Sequence, residues 1–379
     1  MSVQASVVPT HDPQAARARP AADWDAVAHT IALGRPVQGV SFHAMALQGR
    51  ALAGAVFENC DFGAADFSGC DLGRCTFLAC NLTDADLRAA QAINTRFIRC
   101  AMPGVRMPAG VVPGLALIDC DLRASVWAGT HLQRSAASGC DLRDAAMHGV
   151  RLERTVLWKP QLDGADLGDA VFDQVALCET DLRRTVLHRI RAVLSALLKN
   201  DLRGQDLRGA ALQRCQLQGS DLRDADLGDA DLSGSGCIQV DFSGARLDGL
   251  RAPQTMFLSA RFRGARFRRA ELGAALFHGA QLDDVRFEDC AMRECTLEKA
   301  RLHDIAFVGC DLADTRFDHA DAADVEIVRS DLRRSRFHGT VAARLRIRRS
   351  RTRGMRGTHQ ALYAVEAPTL PLEDLPCPP

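Results

Sequence analysis

The stretch CDFGAADFSGCDLGRCTFLACNLTDADLRA, residues 60–89, sets a large apolar side chain at every fifth position: Phe62, Phe67, Leu72, Phe77, Leu82 and Leu87. Two residues before each stands a small one: Cys60, Ala65, Cys70, Cys75, Cys80 and Ala85. One residue before it is often acidic, as in Asp61, Asp66, Asp71 and Asp86. A helix repeats every 3.6 residues and a strand every 2, so neither keeps a five-residue period in one environment. A chain that turns a corner every five residues does, with the small and large positions inward and the others outward.

The register extends outward from this stretch without a slip, from Phe42 to Ile347. Of its 62 positions, here called centres, 55 carry a large apolar residue, 31 of them Leu and 16 Phe. The exceptions are Ala92, Ala137, Ala192, Cys237, Ala252, Ala322 and Ala342. All 16 Phe of the protein fall on this register, beside only 3 Trp and 1 Tyr, which marks Phe as core filler. Two residues past the centre, glycine is favoured: 22 of the 30 glycines share that phase, as a corner needs. A longer period sets the number of corners. Cys60, Cys80, Cys100, Cys120 and Cys140 repeat at twenty, as do Ala260, Ala280, Ala300 and Ala320, and Phe57, Phe77 and Phe97. Four five-residue sides per coil follow: an all-β, four-sided solenoid of about 15 coils, and at about 4.8 Å between stacked strands a rod roughly 75 Å long.

The segments CDLGR (70–74), ADLRA (85–89), ADLGD (165–169 and 225–229) and ADLSG (230–234) resemble the A(D/N)LxX motif of the pentapeptide repeat family, over about residues 40–350. That resemblance implies a right-handed quadrilateral β-helix. It departs most at 101–116, where Pro103, Pro108 and Pro113 each follow a centre. Proline lacks a backbone donor, which predicts a weakened or bulged ladder there, with a kink.

Both ends of a solenoid need covering. Residues 1–39 are expected to be a flexible start and a capping helix over 22–34, with Trp24, Val27, Ala28 and Ile31 at helical spacing, Asp23 as N-cap and Gly34 as stop. The repeat occupies 40–357. The Pro-rich 358–379 reads as a strap or a loose tail.

No stretch reaches the length of a membrane span, and the first thirty residues lack the apolar core of a signal peptide. Eleven of the 14 cysteines occupy the small inward slot, with no C-x2-C pair, so they read as buried free thiols in a reducing cytoplasm. The 11 histidines, His43, His131, His148, His188, His278, His303 and His319 among them, show no recurring catalytic or ligating motif. Phosphate loops and nucleophile elbows are absent too, and a regular prism offers no cleft. No enzyme activity, cofactor or metal is expected.

Charge is the remaining signal. Basic and acidic residues balance at 47 each, which removes a whole-protein field for nucleic acid. Asp and Arg flank one set of centres as Asp121/Arg123, Asp141/Arg143, Asp181/Arg183, Asp201/Arg203 and Asp221/Arg223. Further on the acidic slot turns basic, with Arg246, Arg266 and Arg286 expected to stack, likewise Arg316, Arg336 and Arg356. A basic patch gathers Arg261, Arg263, Arg266, Arg268 and Arg269. Residues 333–356 hold ten Arg and no acid: Arg333, Arg334, Arg336, Arg344, Arg346, Arg348, Arg349, Arg351, Arg353 and Arg356. Residues 1–332 carry 37 basic and 44 acidic groups, so the rod has a basic end. That end reads either as a cap, solvated or paired with Glu366, Glu373 and Asp374 of the tail, or as a docking site for an acidic protein surface, a nucleic acid or a phosphate-rich membrane. Nucleic acid is the less favoured partner, since no aromatics interleave.

The leading expectation is a non-catalytic scaffold or adaptor rod that holds or docks protein partners along its flat faces, with homodimerisation through a rod end left open. The resemblance adds two finer readings: an accessory or effector-loading protein beside bacterial type VI secretion genes, or a mimic of acidic DNA that binds DNA gyrase, as quinolone-resistance members do. The neutral charge and the Arg-paired Asp stripe weigh against the second.

Overall fold

The computed structural model describes residues 19–360; what the sequence predicts for residues 1–18 and for the tail from 361 onward lies outside the described residues. One side shows why the chain turns every five residues. Phe62 is fully buried and donates its amide to Asn81 O in the following turn at 2.7 Å. Asp61 N–H reaches back to Val40 O at 3.0 Å, and Ala64 N–H reaches forward to Thr83 O at 2.7 Å. Ala65 N–H then closes onto Phe62 O at 3.0 Å, with Ala64 at φ 53°, the bond pattern and left-handed third residue of a type II turn.

The left-handed corner recurs two residues past almost every centre. Among the described residues forty other than glycine adopt it, and none of them is Val, Ile or Thr, for which a positive φ is a steric outlier. The strand pairings and isolated bridges among the described residues are parallel and join positions twenty apart, as Phe57 with Phe77. They build a four-sided parallel β-solenoid of about 16 turns. The turn beyond the expected count comes from the ends, where Ala21 bridges Ser41 and Arg336 bridges Arg356.

Four faces follow. Face A holds the centres at twenty-residue steps from Phe42, face B those from Leu47, face C those from Leu52 and face D those from Phe57. Three sheets form where the sides straighten: eight strands on face D from Val37–Gln38 to Ala176–Cys178, six on face C from Gly110–Pro113 to Ala211–Gln213, and seven on faces A and B from Arg266–Arg268 to Arg346–Arg348. Inside, Phe rings stack coil on coil, Phe42 on Phe62 at 4.6 Å between centroids and Phe267 on Phe287 at 4.5 Å. Centres are buried from Phe42 to Leu332; beyond that Phe337 and Ile347 are half-buried and Ala342 is exposed.

Helix α1 (Trp24–Ala32) lies over the first turn. The Asp23 side chain caps it by accepting Asp25 N–H at 3.1 Å, and Gly34, at φ 66°, lets the chain reverse as its amide and that of Arg35 return to Ile31 O and Thr30 O. Val27 is buried, and Trp24 meets Phe42 edge-on at 6.5 Å.

The prolines disturb less than their number predicts. On sides closed by a turn bond, the ladder makes no use of the amide just past the centre. Pro103 sits there, at the second position of a type II turn, where proline is favoured. One corner does bulge: after Pro108 the left-handed residue is Gly110, at φ 80°, one place later than the rule. Pro113 still accepts Asn94 N–H at 2.9 Å, and the face D ladder passes through Phe97, Leu117 and Ala137 without a break.

Candidate functional site

Face A carries the paired stripes. Arg123 grips Asp121 with two bonds, Nε to Oδ1 at 2.8 Å and Nη2 to Oδ2 at 2.7 Å, and the same fork recurs at Arg143/Asp141, Arg183/Asp181, Arg203/Asp201 and Arg223/Asp221. Pairs are linked along the rod, since Arg183 Nε also lies 3.3 Å from Asp201 Oδ2. The guanidinium bonds hold the carboxyls of Asp181 and Asp201 below their ordinary range. Asp206, gripped by Arg208 on face B, is pushed down to about 2.

The basic end wraps the last turn. Arg344 stands at the corner after face A, Arg346, Arg348 and Arg349 on and just past face B, Arg351 and Arg353 on face C and Arg356 on face D. Several of the ten arginines pair with the acids of the turn beneath: Arg334 with Asp314 through two bonds of 2.6 Å, Arg344 with Asp324, Arg336 with Asp318 at 3.3 Å. Arg333 pairs within its own side with Asp331, at 2.6 Å, and Arg351 approaches the same carboxylate at 3.9 Å. Among the described residues Arg346, Arg348, Arg349, Arg353 and Arg356 make no ion pair; Arg346 and Arg344 line a shallow groove beside Asp284, Asp304 and Asp324.

Both expected arginine stacks form, Arg246–Arg266–Arg286 and Arg316–Arg336–Arg356. The like charges of the second are compensated internally, because the almost fully buried Asp318 lies 3.3 Å from both Arg316 and Arg336. In the basic patch Arg268 meets Glu288 at 3.0 Å and Arg261 approaches Asp241 at 3.9 Å. Arg263, Arg266 and Arg269 make no ion pair among the described residues, and the patch spans faces A and B rather than closing on one point.

The described cysteines are free and buried. Their thiols donate to core carbonyls, Cys75 Sγ to Leu52 O at 2.9 Å. Burial pushes Cys75 up to about 12 and Cys70 and Cys215 to about 11, which leaves them protonated and unreactive.

The histidines are less scattered than they read in sequence. His148 and His188 stand in one column of face B with Asp169 between them, and one ligand atom from each of the three lies within 4.8 Å of the others. The signal was present in the numbering: a separation of 40 is two whole coils.

Two family models match the chain. One, described as a pentapeptide repeat region, covers 280–356, and one for pentapeptide repeats in eight copies covers 46–78, 117–154, 201–234, 212–249, 235–273 and 260–298. Among solved structures, a trypsin-treated variant of QnrB1, a plasmid-mediated fluoroquinolone resistance protein, is 20% identical over 52% of this chain and 95% of that one, with a TM-score of 0.31. HetL, involved in heterocyst differentiation regulation in Nostoc sp. strain PCC 7120, is 19% identical over 73% of this chain and 95% of that one, with a TM-score of 0.21. Rfr23 from Cyanothece 51142 is 15% identical over 40% and 91%, with a TM-score of 0.18. No curated protein matches.

Proposed function

Because the chain belongs to the pentapeptide repeat family, we propose that it is a non-catalytic rod that docks an acidic protein surface through the arginine-rich turn at the C-terminal end of its solenoid. One observation carries this reading: seven arginines in 344–356 surround the last turn on all sides, and residues 333–360 contain no acid to answer them. The charges that do find partners reach down one coil, which leaves Arg346, Arg348, Arg349, Arg353 and Arg356 outward. A rigid prism with a regular interior supports such a role, since its surface can change without disturbing the core. No helix among the described residues is long and apolar enough to cross a membrane. The thirteen buried free thiols among the described residues suit a reducing compartment, and we place the rod in the cytoplasm. The finer assignment, an accessory or loading role beside a type VI secretion apparatus, follows the family resemblance and is decided by which partner binds.

The test is capture by the tagged wild-type chain and by a variant with all seven arginines of 344–356 changed to Glu, followed by binding of the purified partner at rising salt. We expect one acidic partner, held by the wild type, lost by the variant and weakened by salt. Equal capture by both chains would overturn the docking role. Capture of the chain itself would instead mark the end as a homodimer contact. The DNA-mimic alternative is weakened by the Asp–Arg forks of face A, which cancel the acidic stripe; potent inhibition of gyrase supercoiling would restore it.

A further inference from the structure

We propose that His148, Asp169 and His188 form a binding site for a divalent transition-metal ion of the zinc, cobalt or nickel kind on face B. The column one residue past the centres there reads His148, Gly168, His188. Two coils separate the histidine backbones by roughly 9.6 Å, twice the spacing of stacked strands. Their rings nonetheless approach to 5.9 Å between centroids, tilted by 36°, by leaning over the glycine between them. A Cβ on residue 168 would lie 2.3 Å from Cε1 and 2.9 Å from both nitrogens of the His188 ring, so any side chain there would push that ring aside. The missing side chain is what brings two imidazoles from non-adjacent coils to one point.

Asp169 supplies the third ligand. Its Oδ2 lies 3.4 Å from His148 Nε2 and 4.0 Å from His188 Nε2. Ligand atoms around a tetrahedral zinc ion, each about 2.0–2.1 Å from it, stand about 3.4 Å apart. The first separation already fits; the other two, within 4.8 Å, would have to shorten by rotation of the half-exposed His188 ring. The surroundings orient the ligands as a metal site requires. Asp166 Oδ2 stands 3.6 Å from His148 Nδ1, a charge contact on the side of the ring away from Asp169. Arg189 reaches across one coil to both oxygens of Asp169, Nε to Oδ1 at 2.8 Å and Nη2 to Oδ2 at 2.6 Å. That fork fixes the carboxylate plane while each oxygen keeps a second lone pair. Two imidazoles with one carboxylate favour borderline cations over calcium or magnesium, and the open outer side leaves the fourth position to water.

The experiment titrates the full chain with Zn²⁺ by calorimetry and with Co²⁺ by visible absorption, against His148→Ala, His188→Ala, their double variant and Gly168→Ala. We expect one equivalent of either ion on the wild type, with tetrahedral cobalt absorption. Each single histidine variant should weaken binding at least tenfold, and the double variant should lose that equivalent while its circular dichroism stays unchanged. In Gly168→Ala the displaced His188 ring should weaken binding by about tenfold, the usual scale for an outer-shell change. Equal stoichiometry and affinity in the wild type and the double variant would overturn the site, because the remaining histidines would then account for all binding. A wild type that binds neither ion would overturn it as well. Unchanged affinity in Gly168→Ala would overturn the part assigned to the glycine.

Discussion

The amide of Ser68 donates to Oδ1 of Asp66 at 2.8 Å, and this short bond explains why aspartate recurs just before the centres. It satisfies the backbone donor that the ladder leaves free on turn-closed sides. The same bond joins Gly73 to Asp71, Gly168 to Asp166 and Ala313 to Asp311. Asp66→Ala should therefore cost about 1 kcal/mol, the scale of losing a side-chain cap on a backbone amide. Asp66→Asn keeps an acceptor and should cost less. Urea unfolding of the two variants checks the order, and equal losses would point to charge rather than the bond.

The corner rule can be isolated at Gly209. Its φ is +64°, and a Cβ there would meet nothing within 4 Å, so space is not the constraint. Gly209→Val should destabilise by about 1–2 kcal/mol through backbone strain alone. Gly209→Asn should cost less, since Asn tolerates the left-handed region. Equal midpoints for Val and Asn would contradict the steric reading of the corner.

Phe262 gives the contrasting case of a core change. It is fully buried, stacked on Phe242 at 5.0 Å and edge-on to Phe257 at 5.4 Å. Phe262→Ala removes both contacts and leaves a cavity, so a loss of about 3–5 kcal/mol is expected. Phe262→Leu, which returns the commonest centre residue, should recover most of it. Because each coil contacts only its neighbours, hydrogen exchange should rise first in the turns around 242–282. Uniform exchange along the whole rod would show that the coils unfold as one unit.

The architecture is legible because it is written once per five residues and again per twenty, so the stacking of Phe57, Phe77 and Phe97 follows from the sequence alone. The forks of face A were legible for the same reason, with both partners in one pentapeptide. Ion pairs across coils are not legible in the same way: the twenty-residue register shows which arginines stack, but not that Arg334 finds Asp314 or that Asp318 serves both Arg316 of its own side and Arg336 of the next coil. The prolines foretell the bulge after Pro108 but not the unbroken ladder beside it, because a missing donor matters only where the ladder uses it. His148 and His188 show no ligand motif at helix or loop spacings, although the 40 residues between them are two coils.

Acid should expose the forks as a group. Asp206 is held at about 2 by its bonds from Arg208, against an ordinary value of about 3.9 in the unfolded chain. A carboxyl depressed by folding contributes stability above its unfolded value and loses it as pH falls through its folded one. For Asp206 that window runs from about pH 4 down to about pH 2. Asp181, Asp201, Asp314 and Asp331 are shifted in the same direction by their own arginines, so their losses accumulate over the acid range. Each contribution is small, because the pairs are largely solvent-exposed and screened. The urea midpoint should fall steadily below about pH 4, and more salt should flatten that fall. In Arg208→Met, Asp206 should titrate near the ordinary aspartate value, read directly by NMR of its labelled carboxyl. An Asp206 that stays near pH 2 without Arg208 would assign the shift to the backbone amide of residue 208 instead.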